Sequence, residues 1–352
     1  MPTSSISGKQ ALVASVFLLL LASCGGAAAD PDDPLAVDQY AVDQHGMLEA
    51  WGATTGDGVV IAIIDTGIDM DHPDLADRIV AGHDWVDDDD IPNDENGHGT
   101  HVAGSAAAIG NNAIGVIGMA PEANIMPLKV LGADGSGSSD DIAEAIRWAA
   151  DNGADVINLS LGGSSNLLGR IYNKVDPTNQ AIEYANDKGV VVVAAAGNDD
   201  TFLTAYNTET PVLVVNATNE VGESARFSNF GDPRAVSAAG ARIISTAPTY
   251  PTTIWPEGSD GYEELDGTSM ASPHVAGIAA LMIDSGIRSP SEVRDRLIDT
   301  ASNPSNDPLL GAGLVQADRA VRSGFGLTDT VVLLVAAIGL VVALFWRRRR
   351  TR

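Results

Sequence analysis

The sequence predicts an α/β fold of three layers, a mostly parallel central sheet covered by helices on both faces. Three observations predict it. The continuous apolar run 59–64 suits a strand buried on both sides, and the mainly apolar stretches 123–131, 156–161 and 190–196 read the same way. Between them, residues 99–108, 140–152 and 179–188 carry helical patterns. Strands and helices that alternate along a chain build parallel sheets with crossover helices.

The chain has 352 residues and is 45% hydrophobic, enough for a sizeable core. Aromatics are only 5%, so that core rests on Ala, Val, Ile and Leu. A net charge of -27, from 47 acidic and 20 basic side chains, repels phosphate backbones and argues against nucleic-acid partners. The acidic excess fits a salt-rich environment as well as an ordinary acidic exported protein. Cys24 is the only cysteine, which excludes an intrachain disulfide.

The ends of the chain differ from its middle. Residues 1–23 read as an export signal: Lys9 precedes the apolar run 11–22, and small residues follow. Leu21-Ala22-Ser23-Cys24 resembles a lipobox, in which Cys24 becomes the lipidated first residue. Residues 24–34 read as a tether and 35–322 as the globular domain. Residues 323–346 form a transmembrane or sorting segment, and 347–352 a basic cytoplasmic tail. The apolar part, 331–346, spans roughly 24 Å as a helix, slightly short of a bilayer core.

Three segments join a small-residue turn to a reactive side chain. Asp65, in Asp65-Thr66-Gly67, ends a buried strand, where catalytic groups of parallel sheets gather; its carboxylate can accept a hydrogen bond from an imidazole. Gly97-His98-Gly99-Thr100-His101 places a histidine at a helix start, between glycines that allow close approach. His98 and His101 have no third ligand at matching spacing, which argues against a catalytic metal. Gly267-Thr268-Ser269-Met270-Ala271-Ser272-Pro273 puts Ser269 at a loop-to-helix turn, where its own N–H and the helix dipole favour an oxyanion.

Together, in the order Asp, His, Ser, these segments resemble the subtilisin-like serine proteases (subtilases, peptidase S8), in particular the thermitase-like branch, over about residues 33–322. The resemblance implies Ser269 as nucleophile, His98 as general base and Asp65 as its orienting carboxylate. It implies Asn198, in Ala195-Ala196-Gly197-Asn198, as a second oxyanion donor, with His101 structural. Gly135-Ser136-Gly137 and Ser160-Leu161-Gly162 match the strands that pair with an extended peptide. Asp199 and Asp200 stand near the expected first specificity pocket, either favouring a basic or polar residue or simply solvated.

The resemblance also implies structural Ca²⁺. One loop would use Asp84, Asp87, Asp89, the Ile91 carbonyl and Asn93; a second site Asp33, Asp74, Asn112 and the carbonyls of Ile109, Ile114 and Val116. Many relatives carry a long propeptide, whereas here only residues 25–34 separate Cys24 from the domain. The domain is therefore expected to fold unaided, with calcium, or with a helper in trans. The expected protein is a monomeric, exported, membrane-anchored serine endopeptidase of broad specificity acting on polypeptides. A dedicated processing protease is one alternative; an inactive binding module is another.

Overall fold

The computed structural model describes residues 28–161, 176–202 and 206–322. The expected export signal, Cys24, Gly162 and the C-terminal apolar and basic segments lie outside the described residues. Among the described residues no helix is long and apolar enough to cross a membrane.

The central sheet has seven parallel strands in the order β2-β3-β1-β4-β5-β6-β7. They are β1 (Val60–Asp65), β2 (His83–Asp84), β3 (Asn124–Lys129), β4 (Val156–Leu159), β5 (Val191–Ala195), β6 (Leu213–Thr218) and β7 (Ala235–Ala239). An antiparallel hairpin, β8 (Ile243–Thr246) and β9 (Tyr262–Leu265), stands apart. The main helices are α1 (His98–Ala107), α2 (Ser139–Asp151), α3 (Pro177–Asp187), α4 (Thr268–Asp284) and α5 (Pro290–Thr300). The predicted three-layer architecture is the observed one.

The two-residue period of the strands sorts side chains onto two cores. On one face Ile61, Ile63, Val191 and Val193 pack with α1, α4 and α5. On the other Ala62, Ile64, Val192 and Ala194 pack with α2 and α3. Helix boundaries follow capping chemistry. Ser138 accepts a hydrogen bond from the Asp141 amide and starts α2; Asp176 does the same for Thr178, with Pro177 at the first position of α3.

Helix α4 is buried from Thr268 to Ile283 and lies against β1, β4, β5, β6, β7 and α1. Small residues permit this. A Cβ on Gly277 would stand 2.7 Å from the Ala106 carbonyl oxygen. Pro273 sits inside α4 without ending it.

Four histidines are buried around this framework. Burial lowers His45 to about 4, and His101 and His274 to about 3, and it also lowers His72. Backbone hydrogen bonds offset this only in part, such as His45 Nδ1 to the Val315 carbonyl at 2.8 Å. The sign follows: the unfolded chain binds these protons near pH 6.5 and the folded chain does not, so stability is lost as pH falls below 6.5. Asp74, Asp84 and Asp94, raised by burial, act oppositely as pH falls toward their own titration range. We therefore expect urea unfolding to show stability falling between pH 6.5 and 5. The loss should be roughly 2 kcal/mol for each of His45, His101 and His274. Equal stability at the two pH values would contradict it.

Candidate active site

Asp65 ends β1 at the carboxyl edge of the sheet, fully buried. Its Oδ1 accepts hydrogen bonds from the Thr66 amide at 2.8 Å and from His98 Nδ1 at 2.7 Å. A carboxylate accepts only, so the Nδ1 proton is on the histidine, and Nε2 is left as the basic nitrogen. The His98 side chain is 23% exposed and opens onto the cleft. Burial lowers its pKa, but the charge and hydrogen bond of Asp65, together with the charge of Asp94, outweigh burial and raise it above 6.5. Asp65 Oδ2 is buried with no partner among the described residues.

Asp94 was not legible as a site residue. Fully buried, it accepts five hydrogen bonds: from the Thr66 and Thr100 hydroxyls and from the amides of Asn96, Gly97 and Thr100. The Thr66 hydroxyl in turn accepts from the Gly99 amide at 2.9 Å. The start of α1 is thereby fastened to the end of β1, which sets His98 against Asp65. The available signal was an acidic residue just before a helix start, which caps the free amides there. Lys129, 1% exposed, donates to the Thr66 carbonyl and holds the same turn from below.

Ser269 lies in the first turn of α4. Its hydroxyl donates to the Ser160 carbonyl at 3.2 Å, and the Ser160 hydroxyl donates to the Ser269 carbonyl at 2.8 Å. Asn158 donates to the Ser160 hydroxyl and accepts from that of Ser272. This buried polar chain locks α4 to the end of β4. Among the described residues no hydrogen bond joins Ser269 to His98; the two face the same cleft of about 670 Å³.

Gly135, Ser136, Gly137, Ser160 and Leu161 line that cleft. Asn198 is exposed, and its Oδ1 accepts from both the amide and the hydroxyl of Thr268 at 2.9 Å. That leaves its NH₂ as the free donor: a Cβ on Gly267 would sit 3.5 Å from both Asn198 Nδ2 and the Ser269 amide, so the two donors flank one point. Asp199 and Asp200 are exposed and do not line the cleft; solvation is the reading the structure favours for them. His101 Nε2 lies 3.0 Å from the Ile243 carbonyl oxygen and ties α1 to the hairpin.

Asp33 and Asp74 are buried, and among the described residues neither forms an ion pair with Lys or Arg. Asp33 accepts from the Asn111 and Asn112 amides; Asp74 accepts from the Asn112 side chain and the Val116 amide. Burial raises Asp74. Two buried carboxylates beside the loop that carries the Ile109, Ile114 and Val116 carbonyls are a donor set suited to a hard cation. In the other loop two side chains serve the loop itself: Asp84 accepts from the Val86 and Asp87 amides and Asp89 from the Ile91 amide, while the Asn93 backbone N–H donates to the Ile91 carbonyl. Among the described residues no three His, Cys, Asp or Glu side chains gather as a metal site.

Ser269 and His98 line one cleft at the carboxyl edge of the parallel sheet, and buried Asp65 holds His98. Residues 56–325 match the model of the Subtilase family, peptidase S8, and the chain belongs to that family. It is 42% identical over 295 residues to thermitase of Thermoactinomyces vulgaris, covering 83% of this chain and 99% of that one. Subtilisin Savinase of Lederbergia lenta is 42% identical over 273 residues, 76% of this chain and 92% of its own. A solved protease of Pseudoalteromonas arctica superposes with a TM-score of 0.72 at 32% identity, over 83% of this chain and 99% of its own. The protein is a subtilisin-like serine endopeptidase.

Gly99 tests the fastening of α1. A Cβ there would overlap the Gly67 carbonyl oxygen and approach Asp65 Cβ to 3.2 Å. Gly99→Ala should lower kcat/KM on a peptide substrate by about a hundredfold, the cost of a small misplacement of reacting groups. Unchanged kcat/KM would show that this contact does not position His98.

Proposed function

We propose that the chain is an exported endopeptidase in which Ser269, His98 and Asp65 form the catalytic triad. The observation that carries the reading is the 2.7 Å hydrogen bond from His98 to buried Asp65, opening on the same cleft as Ser269. In the reaction the Ser269 hydroxyl leaves the Ser160 carbonyl, turns to His98 Nε2, and attacks the scissile carbonyl as His98 takes its proton. Asp65 holds the tautomer and stabilises the imidazolium. The oxyanion is met by the Ser269 amide and the Asn198 NH₂; losing the equivalent side-chain donor in subtilisin costs about 3–4 kcal/mol. His98 then protonates the leaving amine, and water hydrolyses the acyl-enzyme by the same relay.

The peptide lies extended between residues 135–137 and 160–162, held by backbone hydrogen bonds that accept many sequences. This favours broad specificity over a dedicated processing role. Calcium held by Asp33, Asp74, Asn112 and the Ile109, Ile114 and Val116 carbonyls would tie the N-terminal segment to the domain, a structural role. Asp84, Asp87, Asp89, Ile91 and Asn93 are a second candidate set. The N-terminal apolar run, Cys24 and the apolar segment 331–346 followed by four arginines support export and membrane anchoring.

A fluorophosphonate probe tests the reading. Folded full-length protein in calcium buffer should acquire one adduct, mapped by peptide mass to Ser269, and Ser269→Ala should acquire none. Folded protein that stays unlabelled, or is labelled elsewhere, would overturn the triad and favour a binding module.

A further inference from the structure

We infer that Asp176 selects substrates carrying a Lys or Arg side chain in the stretch that lies along the α2–α3 wall of the cleft. The inference rests on the protease reading above and adds a substrate class to it.

Among the described residues lining the cleft, Asp176 is the one acidic side chain and none is Lys or Arg. Its Oδ1 accepts the Thr178 amide at 2.9 Å; its Oδ2 has no partner among the described residues. The cap and Pro177 hold the carboxylate in place, so little order is lost when it binds. Helix α3 follows β4 and precedes β5. Its start therefore lies at the carboxyl edge of the sheet, with Ser160 and Ala195.

The neighbouring wall suits a long cationic side chain. Leu131, Ile142 and Leu161 line the same cleft and offer apolar surface to a methylene stem. The carboxylate receives the charge at its end. The surrounding excess of 47 acidic over 20 basic side chains draws cationic peptides toward the site.

The test is a positional library of fluorogenic peptides, cleaved by the full chain and its variants. Asn caps a helix as well as Asp does, so Asp176→Asn keeps the start of α3. The wild type should prefer Lys or Arg over Leu at one substrate position by about fivefold in kcat/KM, a preference that shrinks as salt rises. Asp176→Asn should erase that preference with the melting temperature unchanged, and Asp176→Lys should reverse it toward Asp and Glu. The double variant Asp199→Asn with Asp200→Asn should keep it. If Asp176→Asn cleaves the library with the wild-type pattern, the inference is overturned while the protease reading stands. A wild type that cleaves no peptide and takes no adduct at Ser269 overturns both.

Discussion

The site depends on a carboxylate kept from water at the end of a buried strand. Asp65 has two hydrogen bonds on one oxygen and none on the other among the described residues. A buried charge so thinly satisfied is costly on its own. Protonated His98 is the partner that relieves it, which is why His98 rises above its ordinary value although burial acts against it. The energy that makes the strand end unfavourable for a lone anion makes it favourable for an imidazolium, the charge that develops when a serine is deprotonated.

That pairing needs a rigid frame, and buried polar groups supply it. Asp94 gathers five donors and locks the turn after β1 to the first turn of α1. Asn158, Ser160 and Ser272 lock α4 to β4 on the other side. Thr268 links α4 to the loop after β5, holding the Asn198 carboxamide oxygen and accepting from the Gly197 amide. Three strand ends and two helix starts are thus cross-linked by hydrogen bonds with no water needed between them. Fully satisfied networks of this kind hold one arrangement, whereas partly satisfied ones do not.

The alternation of strands and helices was legible because strands buried on both faces leave nearly unbroken apolar runs, as β1 and β5 do, with Asn158 the one polar interruption in β4. Strands β6 and β7 were not singled out, since Ala235–Ala239 is short and made of small residues. Asp65, His98, Ser269 and Asn198 stand in long local motifs, so each was legible where it stands. Asp94, Asn158 and Asp176 were not. Their roles arise from partners brought near by folding, as when Ser160 meets Ser269 across 109 positions. The two readings left open for Asp199 and Asp200 divide for the same cause. Asp199 and Asp200 follow the oxyanion asparagine in sequence, yet the loop turns them to solvent, and Asp176 enters the cleft from another element.

The central claim is that the buried acids at the strand end set both the tautomer and the basicity of one imidazole. Nitrogen-15 NMR of histidine-labelled protein measures both directly. His98 should titrate above pH 6.5, with the proton of the neutral ring on Nδ1, and its pKa should fall when Asp65→Asn removes the charge. A His98 that titrates at or below 6.5 with the neutral proton on Nε2, and that Asp65→Asn leaves unmoved, would contradict the account.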